Sequence, residues 1–140
     1  MYKFMRITFL IMSTITCSVT FAGIDKCSNL PNQSALNTCS SNVLNSANQK
    51  INSVYANYMK ELNPTEKLQL KEAQRAWIQY KEKDCQFQSS PVLKGSLYPF
   101  VHNACLVEKT ENRIKNYKIC KSVDQVTNLV AYKFNICREY

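Results

Sequence analysis

The chain has 140 residues, enough for one domain, and its 18 Lys and Arg residues outnumber 10 Asp and Glu residues to give a net charge of +8. The positive charges are interspersed with negative ones rather than grouped in a basic block, which gives little support to nucleic-acid binding. Only two glycines occur, so long helices are favoured over an all-β sandwich or a glycine-rich phosphate loop.

The N-terminal segment has the pattern of a secretory signal peptide. Lys3 and Arg6 form a short positive stretch, and an uncharged apolar run follows over residues 7–17. Small side chains at the two positions that signal peptidase reads predict cleavage between Ala22 and Gly23. The apolar run is shorter than the roughly 20 residues of a membrane-spanning helix, which disfavours an uncleaved anchor.

A lipoprotein with Cys17 as the modified residue is the weaker alternative to this signal peptide, because residues 14–16 fit a lipid-attachment motif poorly. Cleavage between Ala22 and Gly23 changes both the cysteine count and the net charge of the chain. Removal of the signal peptide leaves 16 basic against 10 acidic residues, a net charge of +6. An even number of cysteines in an exported chain favours disulfides, and without a CxxC pair no metal site or cofactor is expected. The remaining cysteines are Cys27, Cys39, Cys85, Cys105, Cys120 and Cys137.

Two amphipathic helices are predicted in the first part of the exported chain. Apolar side chains recur every three, four or seven residues over residues 36–62, as on one face of a helix. Asn63 is placed to cap a second helix, Pro64 suits its first position, and Glu66 stands where a capping-box acid belongs. This second helix is predicted over residues 64–88. Its predicted inward face holds Leu70, Ala73, Trp77, either Tyr80 or Lys81, and Asp84.

The remaining elements are less regular. Ser, Pro and Gly interrupt residues 89–99, and a third helix is predicted over residues 99–117. Residues 121–140 fit both helical spacing and strand alternation. A straight helix would separate Cys120 from Cys137 by roughly 25 Å, too far for a disulfide, so either the tail bends or these cysteines pair elsewhere. The prediction is an all-α fold: a small bundle of three to four disulfide-linked helices, with a C-terminal helix or short strand.

The residue pattern contains no recognisable catalytic apparatus. His102 is the only histidine, and a lone helical histidine is more often a surface or capping residue. Glu82 and Asp84 are two residues apart, so a helix turns them to different faces. Glu108 and Glu111 share a side, but neighbouring lysines indicate a solvated, charge-balanced face. The chain is therefore predicted not to be an enzyme, and a cell-wall hydrolase is the least favoured function.

Four short segments form a recognisable pattern, namely Cys27…Cys39, residues 51–55 (INSVY), residues 70–77 (LKEAQRAW) and residues 80–85 (YKEKDC). The AQRAW run, with a cysteine eight residues after the tryptophan, is fairly specific. On these residues, the stretch from Cys27 to Arg113 resembles the N-terminal domain of LprI-type lysozyme inhibitors. The chain would then divide into a signal peptide (1–22), an LprI-like helical domain (23–117) and a two-cysteine extension (118–140).

The resemblance implies a disulfide pattern and one weakened contact. Of fifteen possible pairings, it favours Cys27–Cys39 and Cys85–Cys105, each bracketing a matched segment, and leaves Cys120–Cys137 as the remainder. The family usually has Arg-Asp where Lys81-Glu82 stands, and lysine lacks the bidentate fork of arginine. The residues that the family motif singles out are Asn52, Tyr55, Gln74, Arg75, Trp77, Asp84, Gly95, Thr110 and Arg113.

These motif residues have structural interpretations. Trp77 is predicted to anchor the core, because a tryptophan in a helical stripe buries a large ring. Gln74 and Arg75, like Asn52 and Tyr55, are placed to bridge helices. Thr110 and Arg113, one helical turn apart, are predicted to reach Asp84 or Glu82 on the second helix.

The resemblance implies an exported protein, periplasmic or secreted, that inhibits lysozyme by non-catalytic binding. A lysozyme cleft carries two carboxylates, and the 89–99 segment offers Lys94, Ser96 and Tyr98 as a candidate binding loop. The alternative for this loop is a simple turn around Gly95. Host lysozymes are strongly basic, and a partner of net charge +6 would be repelled at long range. The alternative function is a periplasmic binding or accessory module for another envelope protein or an anionic wall polymer.

Overall fold

The computed structural model describes residues 23–126, and its side chains are described from residue 23 to residue 118. Three α-helices make up most of this part: α1 spans Gln33–Glu61, α2 spans Pro64–Ser89 and α3 spans Tyr98–Val126. Short 3-10 turns lie at Asp25–Cys27 and Ser90–Val92. No strand occurs in the described range, so the all-α prediction is confirmed. The predicted signal peptide and residues 127–140, with Cys137, lie outside the described residues.

Each of the first two helices begins after an asparagine N-cap, of which only Asn63 was predicted, and α1 starts three residues before its predicted apolar stripe. The Asn32 side chain accepts a hydrogen bond of 2.9 Å from the Ala35 amide at the start of α1. At the start of α2, Asn63 accepts from the Glu66 amide at 2.9 Å and Glu66 accepts from the Asn63 amide at 3.0 Å. This reciprocal pair is the predicted capping box, and it satisfies two backbone donors that a helix start would leave unpaired.

Helix α3 is longer than predicted. It begins at Tyr98 and continues to Val126, well beyond Tyr117. No glycine or proline interrupts residues 117–126, so nothing in the local sequence breaks the helix there. The boundary proposed between residues 117 and 118 thus falls inside a helix, and the division into a domain and an extension stays a prediction.

The three helices run up, down and up, with α3 in contact with both others. Asn103 on α3 bonds to Ser40 near the start of α1, while Tyr117 contacts Tyr55 near its end, so α1 and α3 are parallel. Helix α2 is antiparallel to α3, and it packs chiefly on that helix rather than on α1. One side of α2 therefore stays open to solvent.

Three small clusters of buried side chains form the core along α3. They centre on Val107, on Leu106 and on Ile114, and α1 contributes to all three. The third contains Ile51, Ile114 and Tyr117, with Tyr55, Tyr58 and Trp77 packed around it. This α3-centred arrangement corrects one position of the predicted inward face of α2, Ala73, and decides between the two alternatives Tyr80 and Lys81. Lys81 is buried, whereas Ala73 is exposed and Tyr80 is 58% exposed.

Both disulfides that the resemblance favours are present. Cys27–Cys39 ties the first 3-10 turn to α1, with the Cα atoms 5.7 Å apart. Cys85–Cys105 joins the last turns of α2 to the first turns of α3, with a Cα separation of 5.6 Å. Because α1 and α3 are parallel, both bonds lie in the half of the bundle that contains the α2–α3 connection. None of the described helices is long and apolar enough to cross a membrane.

Candidate functional site

The interface between α2 and α3 stacks positive charges on aromatic rings. Arg113 on α3 lies between two of them, with Cζ 5.7 Å from the centroid of Trp77 and 4.9 Å from that of Tyr117. Lys81 on α2 also approaches Trp77, with Nζ 5.0 Å from the ring centroid. Such cation–aromatic contacts gain strength where water is excluded. We call Trp77, Lys81, Arg113 and Tyr117 the α2–α3 seam.

A buried hydrogen bond closes one end of the α2–α3 seam. The Tyr117 hydroxyl donates to Gln74 Oε1 at 2.5 Å. Burial raises the pKa of Tyr117 above its usual value, and the nearby Arg113 guanidinium partly opposes that rise. Tyr117 therefore stays a neutral hydrogen-bond donor throughout the neutral range. Gln74, as a buried acceptor on α2, links that helix to α3.

Burial of the Lys81 ammonium group in this interface disfavours its charged form. Its side chain is buried, and the Glu82 oxygen nearest to its ammonium group is 3.8 Å away. Burial lowers the pKa of Lys81, and attraction to Glu82 only partly offsets this effect. Lys81 thus makes one long ion-pair contact and, unlike an arginine, has no bidentate fork to strengthen it.

The prediction that α3 reaches these acids of α2 is wrong: neither Thr110 nor Arg113 pairs with Asp84 or Glu82 among the described ion pairs and hydrogen bonds. Asp84 instead pairs with Lys109 at 2.5 Å, and the Lys109 ammonium also lies 5.2 Å from the Tyr80 ring centroid. Arg113 is one turn further along α3 and faces the rings of the seam instead. Lys109 takes the carboxylate because it comes within reach of the last turns of α2, where Asp84 lies.

The Asp84–Lys109 pair predicts a specific dependence of stability on acid. The hydrogen bond from Lys109 lowers the pKa of Asp84 below its ordinary value, and the same bond raises the pKa of Lys109. A lowered carboxyl pKa stabilises the fold above the unfolded value of about 3.9, and this gain is lost as the pH falls through the folded value. We therefore expect Asp84→Asn to flatten the loss of stability at acid pH.

Urea unfolding at a series of pH values between about 6 and 2 measures this slope. Glu72→Gln is the matched control, because Glu72 is an exposed acid on the same helix. The effect of Asp84→Asn should be small beside that of a disulfide, since the pair is partly exposed. Equal acid slopes for wild type and Asp84→Asn would contradict the assignment.

Thr110 is a buried polar residue whose hydroxyl has no partner. Its side chain is fully buried in α3, and Oγ1 makes no hydrogen bond. Arg113 Nε, one turn later, is likewise buried and unpaired. An unsatisfied buried hydroxyl costs about 1–3 kcal/mol, whereas an apolar group of the same shape does not. Thr110→Val should therefore raise the free energy of unfolding by roughly 1 kcal/mol.

Ser40→Ala provides the contrasting variant for this measurement. Ser40 is also fully buried, but its hydroxyl donates to the Asn37 carbonyl oxygen and accepts from Asn103. Its removal should lower the free energy of unfolding by about 1 kcal/mol. Opposite signs in urea unfolding are the expected result, and destabilisation by Thr110→Val would show that its hydroxyl has a partner.

The candidate binding loop is braced by backbone hydrogen bonds. The Gly95 amide donates to the Val92 carbonyl oxygen at 2.8 Å, and the Gly95 carbonyl oxygen accepts from the Tyr98 amide. The Ser96 carbonyl oxygen accepts from the Asn37 side chain on α1 at 3.1 Å. Lys94 is exposed. Tyr98 is not a loop residue, as it was predicted to be, but the first residue of α3.

The remaining motif residues are divided between surface and core. Asn52 and Arg75 are exposed, so neither bridges helices as proposed. Tyr55 is half-buried, with its ring centroid 6.5 Å from that of Tyr117. Trp77 is half-buried beside the core cluster. The structure thus brings Tyr55, Gln74, Trp77 and Arg113 together around Tyr117, a residue that the motif did not single out.

The His102 side chain is half-buried and packs against Tyr98 and Ser89. Its ring stacks on Tyr98 with centroids 5.3 Å apart, and Nδ1 lies 3.3 Å from Ser89 Oγ. Ser89 is fully buried, and its hydroxyl donates to the Cys85 carbonyl oxygen at 2.7 Å. A serine in this position cannot meet a substrate, so the pair braces the α2–α3 connection. Across residues 23–118, no cluster of His, Cys, Asp and Glu is placed to hold a metal ion.

An open groove of about 800 Å³ lies along α1. Its walls include Asn42 and Ser46 from α1 and Glu111 from α3, and Gly23 closes one side. Lys26 and Lys50 also line it. Sequence reasoning missed this groove, because its wall combines the chain segment before α1 with a helix that lies more than sixty residues later.

One of the comparisons with known proteins identifies a family. A family model described as lysozyme inhibitor LprI matches residues 25–116. An uncharacterized protein of Rhizobium meliloti (strain 1021) is 28% identical over 105 residues, which cover 66% of this chain and 76% of that protein. No solved structure matches the chain.

Proposed function

This chain belongs to the LprI family of lysozyme inhibitors, and from that premise we propose that it is exported and inhibits lysozyme by binding it without catalysis. The single observation that carries this proposal is the family match over residues 25–116, which includes α1, α2 and the first two thirds of α3. The two disulfides support an oxidising compartment such as the periplasm, because disulfides rarely persist in a reducing cytosol.

The loop between α2 and α3 is the surface best shaped to enter a cleft. Lys94 is exposed at its tip, between Leu93, which is 58% exposed, and Leu97, which is 39% exposed. The turn at Gly95 and the bond from Asn37 hold the backbone, so little conformational freedom is lost on binding. A lysine between two apolar side chains suits a cleft that contains carboxylates.

A lysozyme activity assay at physiological salt tests the proposal. The wild-type chain should inhibit at micromolar concentration, and Lys94→Glu should weaken inhibition at least tenfold. Lys71→Glu is the matched control, because Lys71 is an exposed lysine on α2 far along the sequence from the loop. No inhibition by the wild-type chain would refute the function, whereas equal effects of both variants would refute the loop assignment.

The net charge gives the assay a second readout. Association of two positively charged proteins is slowed by repulsion, and added salt screens that repulsion. The association rate with a basic lysozyme should therefore rise with ionic strength, whereas association of oppositely charged partners slows as salt is added. A rate that falls with salt would indicate an acidic partner surface.

The net charge of +6 that remains after cleavage also favours a second function, as a binding or accessory module for an anionic wall polymer or another envelope protein. Co-sedimentation with an anionic wall polymer, compared with a neutral polymer, distinguishes this function from lysozyme inhibition. Retention that disappears in high salt would support it.

A further inference from the structure

Gly23 lies between α1 and α3 in a position, which we call its seat, where a side chain would be crowded. A Cβ atom at this position would lie 3.1 Å from Val43 Cγ1, 3.3 Å from Glu111 Oε1 and 3.8 Å from Val107 Cγ1. The first two separations are tighter than nearly all real Cβ contacts. The backbone of Gly23 therefore lies close to the Glu111 carboxylate of α3.

The segment that carries Gly23 is fixed in place by its neighbours. Ile24 packs against the buried cluster of Cys27, Val43 and Val107. The Cys27 amide donates to the Ile24 carbonyl oxygen at 2.9 Å. Cys27 is itself bonded to Cys39 on α1. Packing, a hydrogen bond and a disulfide thus hold the chain within four residues of Gly23.

The Glu111 carboxylate beside Gly23 forms no ion pair with a basic side chain of the described residues. Neither of the ion pairs found among the described side chains includes it. Lys26 and Lys50 line the same groove but form no ion pair with it. On α3 itself, Glu108 and Lys115 stand one turn to either side. The carboxylate that lies nearest to Gly23 thus has no basic partner among the described side chains.

We propose that cleavage between Ala22 and Gly23 creates an α-ammonium group that pairs with Glu111 in this seat. Signal peptidase breaks the peptide bond with water, so Ala22 leaves as a carboxylate and the Gly23 nitrogen gains protons to become an ammonium group. A backbone nitrogen lies about 2.5 Å from its own Cβ position, which places that of Gly23 within roughly 6 Å of Glu111 Oε1. Rotation of the glutamate side chain closes this gap.

The proposal rests on the export part of the proposed function and adds a structural role for processing. In the unprocessed chain the Gly23 nitrogen is a neutral amide. In the processed chain it is a cation facing a carboxylate, which stabilises the packing of residues 23–27 on α1 and α3. Processing would thus complete an interaction of the fold as well as release the protein from its targeting segment.

The glycine content allows a direct measurement. Gly23 and Gly95 are the only glycines, so a chain of residues 23–140 labelled with 13C-glycine gives two sets of NMR signals. The Gly23 signals should titrate with an α-amino pKa about half a unit to one unit above its ordinary value near 7.7. Glu111→Gln should return the pKa to the ordinary value, and Glu108→Gln should leave it raised. An ordinary pKa in the wild-type chain overturns the proposal, as does a raised pKa unchanged by Glu111→Gln.

A stability comparison gives an independent test. The chain that begins at Gly23 should have a three- to tenfold smaller unfolding constant near pH 6 than the same chain with its α-amino group acetylated. Because the folded pKa is raised, this advantage is present below the unfolded pKa and is lost as the pH rises through the folded one. Acetylation should have no effect in the Glu111→Gln background, and an equal effect there overturns the proposal.

N-terminal sequencing of the exported protein separates this proposal from the proposed function. A mature chain that begins at Gly23 supports the processing step. A mature chain that begins elsewhere overturns it and leaves the lysozyme assay unaffected.

Discussion

Replacing Cys85 and Cys105 together by alanine is expected to lower the free energy of unfolding by about 3 kcal/mol. This disulfide links residues 20 positions apart and joins the end of α2 to the start of α3. Its main effect is to restrict the unfolded chain, and that restriction grows with loop size. It also lies beside Leu106 in a buried cluster, so its loss removes core contacts as well.

Urea unfolding followed by helical circular dichroism measures the effect. The matched variant replaces Cys27 and Cys39, which close a loop of 12 positions. Its expected loss is about 0.5 kcal/mol smaller, because the loop is shorter. If neither double variant changed the unfolding midpoint, the disulfides would not stabilise the fold, and the small core alone would suffice.

Ile114→Ala is expected to lower the free energy of unfolding by about 3 kcal/mol. Ile114 is 3% exposed and lies in the cluster with Ile51 and Tyr117, where no described disulfide supports the packing. Truncation removes three carbon atoms and leaves a cavity, since helices held by neighbouring rings cannot fully collapse into the space.

Ile78→Ala is the control for this truncation. It removes the same atoms from α2, but Ile78 is 44% exposed, so the expected loss is only about 0.5 kcal/mol. Comparable losses for the two variants would mean that the cluster around Ile114 is not a well-packed core.

Local sequence signals located the helix boundaries better than they located contacts. The α1–α2 boundary was predictable because Asn63, Pro64 and Glu66 act within a few residues of one another. The end of α3 was not, because the residues after Lys121 fit two periods equally well. The extra length of α3 reflects the absence of a helix breaker rather than a positive signal.

The α2–α3 seam shows why side-chain partners could not be derived in the same way. Spacing placed Thr110, Arg113 and Asp84 on plausible faces, but the partner of Asp84 depends on how α2 is rotated about its own axis. Because α2 packs chiefly on α3, its buried stripe turns toward Lys81 and away from Ala73. That rotation places Lys109 at the carboxylate and Arg113 against the aromatic rings.

Both described disulfides lie in one half of the bundle, so we expect the two halves to differ in how readily they unfold locally. The α2–α3 connection lies in the cross-linked half, together with the Cys27–Cys39 bond. The half that contains the α1–α2 turn is held by side-chain packing around Ile114 and by the Tyr117–Gln74 hydrogen bond. We therefore expect local unfolding within residues 33–118 to begin at the α1–α2 turn, where backbone amides should exchange with solvent first. The loop that carries Lys94 is then expected to keep its shape during such opening.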